Sequence, residues 1–281
     1  MKHLPIHSRG FSLVEVIVVM VVTGILGGIV AVFLRMPVQN YVDAAGRAEL
    51  SDVADSAIRR MAREIRLAVP NTVRLSGNSI EFVPAKTGGR YLAVEDGVGG
   101  NYLSFTDTSQ LSFAVVGPMP VGKQAIVAND YIVVYNLGEG FAPADAYSGQ
   151  NRALVNSVNS GSKLITMATN PFASQSPSMT HPQYRFVVAN QPVTYVCSGG
   201  ASGTGSLFRY SNYGFNASQV AVPTGATVAT LATNVASCTF SFTALQNTRA
   251  GLVGLTISVQ RSNSTDGALS LSHQVHVDNT P

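Results

Sequence analysis

The sequence contains no tryptophan and few charged side chains. Only 12% of the 281 residues are charged, and the formal net charge is +3. Lys2 and Arg9 account for two of the positive charges, so the rest of the chain is nearly neutral. This composition argues against a nucleic-acid-binding surface and against a disordered acidic or basic tail, since both need a strong excess of charge.

The sequence also lacks common signatures of a hydrolase. The nucleophile pattern G-x-S-x-G is absent, and the one S-x-x-K pattern, from Ser160 to Lys163, lies in an Asn/Ser-rich loop before a predicted strand. The catalytic form of S-x-x-K places its serine at the start of a helix. We therefore predict that the protein is not an enzyme and that it has no catalytic residues. An exported, membrane-anchored enzyme or binding protein remains the alternative from another class.

Metal ligands are equally sparse. His273 and His276 fall on opposite faces of one predicted strand, so they cannot readily share a metal ion. No carboxylates have the spacing of an EF-hand, although the loop acids Glu95, Asp96 and Asp107 are weak candidates for Ca²⁺. We predict no metal site and no cofactor.

One long apolar stretch is present near the N-terminus. Residues 16–34 carry no charge, and their number is close to the roughly 20 that a helix needs to cross a bilayer. Glu15 stands at the start of this stretch. A carboxylate in a membrane helix costs about 2.5–3.5 kcal/mol on insertion scales, so a compensating partner is expected.

The segment before the apolar stretch is a polar leader, "MKHLPIHSRG". A secretory signal peptide has an apolar region of only about 7–15 residues, followed by a cleavage site, and this sequence fits neither feature. Removal of the leader after Gly10 would create an α-amine on Phe11. That amine is a candidate partner for Glu15, within one subunit or between neighbouring subunits.

The stretch "GFSLVEVIVVMVVTGI" resembles the class III signal of type IV pilins and type II secretion pseudopilins. The resemblance implies that prepilin peptidase cleaves after Gly10 and methylates the amine of Phe11. It also implies that Glu15 neutralises the amine of an adjacent subunit during assembly. The implied partners are prepilin peptidase, other major and minor pilins contacted through the N-terminal helix, and the lipid of the inner membrane.

The charge distribution predicts the orientation of this span. Lys2 and Arg9 precede it, and basic residues favour the cytoplasmic side, so the body should be exported. Gly24 and Gly28 form a G-x-x-x-G motif. This motif either lets neighbouring helices approach closely or only loosens the helix.

An amphipathic helix is predicted to follow the span. Pro37 should kink or interrupt the helix near Arg35 and Met36, and Pro70 should end it at Val69. Between them, apolar residues at three- and four-residue spacing form one stripe: Leu50, Ala54, Ala57, Ile58, Met61, Ile65 and Ala68. The charged face, which includes the pair Asp55 and Arg59, is either solvated or a partner-binding surface.

Short strand-like runs separated by turn residues fill the rest of the chain. "TVRL" and "SIEFV" predict a hairpin, and "LVGLTISVQ" and "LSLSHQVHV" predict an antiparallel pair joined by a turn at residues 263–267. Seven further runs read as strands: residues 111–116, 131–135, 163–167, 184–188, 193–197, 207–210 and 238–242. The Gly/Ser-rich piece "CSGGASGTGS" is interpreted as an irregular surface loop.

The predicted fold is α+β, with a long N-terminal transmembrane and amphipathic helix packed on a β-rich, mainly antiparallel body. Its parts are the leader 1–10, the helix 11–69, with a span at about 14–34 and an amphipathic half at about 38–69, and the exported domain 70–281. This arrangement resembles the pilin architecture.

Two further segments resemble known proteins: "SAIRRMAREIRLAVPNTVRL" and the ending "HQVHVDNTP". Both resemble minor pilins of the mannose-sensitive haemagglutinin (MSHA) pilus biogenesis set, of the MshO type. The resemblance implies a minor pilin that is incorporated in a type IV pilus or primes its assembly. A large minor pseudopilin at the tip of a type II secretion fibre is the alternative in the same class.

The two cysteines predict a disulfide. Cys197 shares a strand face with Val193 and Tyr195, and Cys238 shares one with Phe240 and Phe242, so both should face the core. An oxidising compartment favours a bond between them over two free thiols.

Overall fold

The computed structural model describes residues 10–94, 100–245, 250–262 and 267–280. The chain divides into two compact units, residues 1–49 and 50–281. The described residues form one long helix and thirteen strands: α1 Leu13–Arg66, β1 Arg74–Ser76, β2 Ser79–Phe82, β3 Ala85–Tyr91, β4 Ser112–Val116, β5 Tyr131–Val133, β6 Arg152–Asn159, β7 Leu164–Met167, β8 Arg185–Ala189, β9 Val193–Ser198, β10 Gly205–Ser211, β11 Thr227–Leu245, β12 Ala250–Val259 and β13 Leu269–Asp278.

Helix α1 continues through Pro37, so Pro37 does not interrupt the helix near Arg35 and Met36, whereas the kink predicted there stays a prediction. Proline lacks an amide hydrogen and removes a bond of the i to i−4 ladder, but neighbouring bonds can carry the helix past it. The helix ends at Arg66 rather than at the predicted Val69. Residues 67–69 leave the helix because the amide of Val69 donates to the carbonyl of Val83.

The part of α1 within the second unit packs on the body through one stripe. Its buried residues are Ala54, Ala57, Ile58, Met61, Ala62 and Ile65, which agrees with the stripe predicted from the spacing of apolar residues. At the end of the helix, Glu64 accepts a hydrogen bond of 2.9 Å from Nε of Arg209 on β10. An ion pair therefore links the last turn to the sheet.

The main sheet is seven-stranded, in the order β1-β2-β9-β10-β11-β12-β13, and every neighbouring pair is antiparallel. Strand β12 alternates as predicted, with one fully buried face made of Val253, Leu255, Ile257 and Val259. These residues belong to the same core cluster as the buried stripe of α1. The predicted α+β architecture is thus confirmed.

The other six strands form a closed antiparallel barrel, in the order β3-β4-β7-β6-β5-β8. The barrel is inserted between β2 and β9, which are neighbours in the main sheet. Its core contains the aromatic side chains of Tyr91, Phe113, Phe172 and Phe186. A sheet that closes on itself leaves no edge strand, so the barrel protects its own backbone groups.

Strands β3, β6 and the first half of β11 were not predicted from the sequence. Strand β3 contains Gly88 and Gly89, and glycine weakens a strand signal. A Cβ at position 89 would lie 2.6 Å from the ring of Phe186, so only glycine allows this close packing. Glycine here marks a contact between neighbouring strands rather than a loop.

A buried ion pair lies on the opposite side of β1 and β2 from α1. Nε of Arg74 donates to Glu81 at 2.5 Å, and the side chains are only 5% and 1% exposed. The Arg74 guanidinium also lies 3.5 Å from the ring centroid of Tyr147 and donates to the carbonyls of Asn216 and Ala217. This side chain therefore joins two strands to two irregular segments.

Cys197 and Cys238 form the predicted disulfide, with a Cα–Cα distance of 6.2 Å. Cys197 is buried in the core, and Cys238 packs against it, as their strand faces indicated. The neighbouring Gly/Ser-rich piece is less irregular than predicted, because its ends belong to β9 and β10. Its buried Gly203, at φ +68°, packs so closely on Gln260 that any side chain would clash.

Candidate N-terminal processing and assembly site

The predicted cleavage position lies directly before the helix. Gly10, Phe11 and Ser12 precede the first helical residue, Leu13, and Phe11 is 80% exposed. The bond between Gly10 and Phe11 is therefore flanked by exposed residues. The rest of the leader, residues 1–9 with Lys2 and Arg9, lies outside the described residues.

Ser12 caps the helix, which the sequence analysis missed. The amide of Glu15 donates to the Ser12 hydroxyl at 3.3 Å and to the Ser12 carbonyl at 3.1 Å. The spacing Ser-x-x-Glu is that of a capping box, which satisfies amides that the first turn leaves without partners. This signal was readable in the sequence, and it explains why the helix begins directly after Ser12.

Glu15 is exposed on the first turn of the helix. It forms no ion pair with any part of the chain that the structure describes. A carboxylate at a helix N-terminus is favoured by the helix dipole, but in hydrocarbon it also needs a cation or donors close by. The isolated chain therefore offers this carboxylate no cationic partner among its described residues.

Residues 16–34 of the helix present an almost wholly apolar surface. None of its most apolar 18-residue stretch is buried. Thr23 is a polar residue within this apolar stretch, and its hydroxyl donates to the carbonyl of Val19 at 2.5 Å. This bond satisfies the hydroxyl within the helix, which a membrane environment requires.

Gly24 and Gly28 line a concave face of this helix. They lie in an open groove on the surface of the helix, together with Ile25, Ile29, Val32, Phe33, Met36 and Pro37. A Cβ added at either glycine would meet no atom within 4 Å. The glycines are therefore not required by packing within the chain, and the face is open to lipid or to another helix.

The structure does not bring the weaker candidate residues from the sequence together into a site among the described residues. No group of three or more His, Cys, Asp or Glu side chains is placed to hold a metal ion in the described ranges. Asp107 accepts bonds from the hydroxyl and amide of Ser109, which lower the pKa of its carboxyl. Glu95 and Asp96 lie outside the described residues. Ser160 and Lys163 lie in the turn between β6 and β7, not on a helix.

Comparison with known proteins adds one finding about this segment. Residues 6–31 match the family model for the prokaryotic N-terminal methylation motif. No curated protein and no solved structure gives a significant match to the chain. The matched residues include Gly10, Phe11, Glu15, Gly24 and Gly28, so the motif covers the whole candidate site. The motif supports a processed, membrane-anchored prepilin of the type IV pilin-like family.

Proposed function

We propose that the protein is a minor pilin that is cleaved after Gly10 and methylated on Phe11. It is anchored in the inner membrane with its N-terminus in the cytoplasm, and it joins other pilins through helix α1 to prime or enter a type IV pilus of the MSHA type. The observation that carries this proposal is the methylation motif at residues 6–31. The matched segment contains Gly10, Phe11 and Glu15, which supports the cleavage and assembly roles proposed for them.

The exposed apolar helix supports membrane anchoring followed by assembly. None of its most apolar stretch is buried among the described residues, so in water it would expose a continuous apolar surface. Such a surface is stable only in lipid or against other apolar helices. A pilin meets both environments: its helix lies in lipid before assembly and packs against other pilin helices in the fibre.

The disulfide supports export of the body. Disulfides persist in oxidising compartments and are rare in the cytosol. Cys197 and Cys238 are joined across the end of β10, within the unit that follows the membrane span. Lys2 and Arg9 on the other side of the span favour a cytoplasmic N-terminus.

In this proposal, Glu15 forms the ionic contact between neighbouring subunits during assembly. The carboxylate has no ionic partner among the described residues, and processing creates a cation, the methylated amine of Phe11, four positions before it. Residues four apart on a helix span about 6 Å along its axis. When two helices pack side by side with a small axial shift, the amine of one lies beside the carboxylate of the other.

The resemblance at the end of α1 and at the C-terminus favours the MSHA set over a type II secretion fibre. The arginine-rich end of the helix is shared with large minor pseudopilins, whereas the ending "HQVHVDNTP" favours the MshO type. The genes beside this one distinguish the two assemblies. Pilus genes support the proposal, and secretion genes support the pseudopilin alternative.

The test replaces Glu15 by Gln in the full-length chain and measures association with partner pilins. Single cysteines placed in the span report contacts by cross-linking, and Glu49→Gln is the matched control because Glu49 is exposed on the same helix outside the apolar stretch. We expect cross-linking to fall about tenfold or more in Glu15→Gln, since close charge pairs contribute at least about 1.5 kcal/mol. Glu49→Gln should match the wild type.

Intact mass spectrometry of both variants checks processing separately. Each should lack residues 1–10 and carry one methyl group on Phe11, because the cleavage bond is unchanged. Wild-type cross-linking in Glu15→Gln would refute the assembly role. An unprocessed N-terminus in the wild type would refute the pilin assignment itself.

A further inference from the structure

The last strand of the main sheet, β13, forms one of its two edges. It pairs with β12 over all ten residues, Leu269–Asp278, and no other strand within the described ranges pairs with its second side. An edge strand keeps a row of backbone N–H and C=O groups without partners in the sheet, and such a row is a template for another strand. We propose that the free edge of β13 binds an extended segment of a partner polypeptide by strand addition.

The features that commonly protect an edge strand are absent from β13. Protected edges are short, bulged, or interrupted by lysine or proline. Strand β1, at the opposite edge of the same sheet, has only three residues. Strand β13 has ten residues, its pairing with β12 shows no register shift, and its sequence, LSLSHQVHVD, contains neither lysine nor proline. A long, regular edge of this kind suits pairing with a second polypeptide.

The hydrogen bonds of the main sheet show which residues of β13 turn their backbone groups outward. The amide of Gln260, directly after β12, donates to the carbonyl of Asn234 on β11. Even-numbered residues of β12 therefore turn their N–H and C=O groups to β11, and odd-numbered residues turn theirs to β13. Because Ile257 lies opposite Leu271, the odd-numbered residues of β13 bond to β12. The backbone groups at the free edge consequently belong to the even-numbered residues, Ser270, Ser272, Gln274, His276 and Asp278.

The outer face of β13 is polar. The hydroxyls of Ser272 and Thr256 are 2.9 Å apart, and those of Ser270 and Ser258 are 2.7 Å apart. These pairs extend rows of hydroxyl side chains from β12 to the edge of the sheet. Cross-strand hydroxyl pairs stabilise neighbouring strands, so an added strand gains most from hydroxyl side chains on this face.

The core face of β13 is apolar and incompletely covered. Val275 and Val277 are buried, whereas Leu269 is 36% exposed and Leu271 is only partly buried. The residues of β12 opposite both leucines are fully buried, so the exposed apolar margin is confined to β13 at this edge. An added strand with apolar residues on this face would remove that margin from water.

Charge and pattern favour a foreign strand over a second copy of β13. Asp278 is exposed and forms no ion pair with the parts of the chain that the structure describes. A basic residue opposite it would add a favourable cross-strand pair. Strand β13 has no lysine or arginine to supply, and it carries His273 in its apolar row. The partner that fits is antiparallel to β13, alternates apolar with hydroxyl residues, and places a basic residue opposite Asp278.

The test measures binding of a labelled peptide, KVTVTVTVTV, to the full-length chain in detergent by fluorescence anisotropy, with detergent alone as the background. In antiparallel pairing the lysine of the peptide lies opposite Asp278, its valines lie on the core face, and its threonines turn their amides to β13. N-methylation of the threonines removes these amide donors, whereas N-methylation of the valines removes only donors that face away from β13. We expect threonine methylation to weaken binding about tenfold or more and valine methylation to leave it unchanged.

Gln274→Pro tests the same edge on the protein. The amide of Gln274 faces away from β12, so proline removes it without breaking the ladder of the sheet, and the melting temperature should stay near that of the wild type. Binding of the unmethylated peptide should weaken about tenfold or more, because a central donor is lost. Gln274→Ala is the matched control, since it removes the side chain and keeps the amide, and it should bind as the wild type does.

Three results would overturn the proposal: no binding of the peptide to the wild type, equal binding of the two methylated peptides, or unchanged binding in Gln274→Pro. A dimer of the unliganded chain that Gln274→Pro dissociates would also overturn it, because the edge would then belong to a second copy. The edge lies within the unit formed by residues 50–281, so these readouts are independent of leader processing and of Glu15.

Discussion

Replacement of Arg74 by Met is the most informative perturbation of the body. Arg74 donates to Glu81, Glu139 and two backbone carbonyls, and its guanidinium stacks on Tyr147. Methionine preserves much of the volume and removes every one of these donors. Glu81, only 1% exposed, would then keep the hydroxyl of Tyr213 as a donor but lose its cation.

The expected cost follows from burial. Removing one partner of a buried ion pair costs about 3–5 kcal/mol, because the remaining charge stays desolvated. The two carbonyls of the 212–219 segment also lose their donors. For a domain of this size, about 2–4 °C of melting temperature corresponds to each kcal/mol, so a decrease of roughly 6–20 °C is expected.

Urea unfolding of the detergent-solubilised chain measures this change. Tyrosine fluorescence or circular dichroism reports unfolding, since the chain has no tryptophan. Arg59→Met is the control, because the pair of Arg59 and Asp55 is largely exposed, at 73% and 45%, and should contribute less than about 1 kcal/mol. The double variant Arg74→Met/Glu81→Leu should recover part of the loss. A loss below about 1 kcal/mol in Arg74→Met would refute this account of the buried pair.

Two further predictions concern the links around the main sheet. Burial raises the pKa of Glu64, but the hydrogen bond and charge of Arg209 outweigh it, so the net pKa lies below the ordinary 4.5. Its stabilisation is present above that value and is lost as the pH falls through the lower native pKa. Glu64→Gln should therefore be less stable than the wild type by about 1 kcal/mol at pH 7, and this difference should shrink as the pH falls below 4.5; a difference that stays constant on acidification in thermal melts would contradict the assignment. Non-reducing peptide mapping should find Cys197 linked to Cys238, and reduction should lower the free energy of unfolding by about 4 kcal/mol for a closed loop of this size, whereas two alkylatable thiols in unreduced protein would disprove the bond.

The sequence alone was sufficient to predict those elements whose apolar residues recur with a single helical or strand period. The stripe of α1 and the alternation of β12 were both predicted, because each element buries one face. Strand β3 was missed because Gly88 and Gly89 carry no alternation. The barrel was missed because its closure depends on pairing between distant strands, such as β3 with β8, which no local pattern records.

The N-terminal candidate site could be proposed from the sequence alone, whereas the buried polar contacts of the body could not. Gly10, Phe11 and Glu15 belong to one continuous motif, so their spacing is visible without a fold. The buried pair of Arg74 and Glu81 on the body was missed, because charged residues in a hairpin are usually solvated.

The insertion of the barrel has a consequence for the order of folding. Strands β2 and β9 must pair across about 110 intervening residues, yet Ala85 and Ala189 at the two ends of the barrel are register partners. Once the barrel has formed, it holds these ends together as a tight turn would. The loop that must close between β2 and β9 is thereby shortened from about 110 residues to a few, which lowers the entropic free-energy cost of closing it by about 3 kcal/mol. We therefore expect the barrel to fold before β2 and β9 pair in the centre of the main sheet.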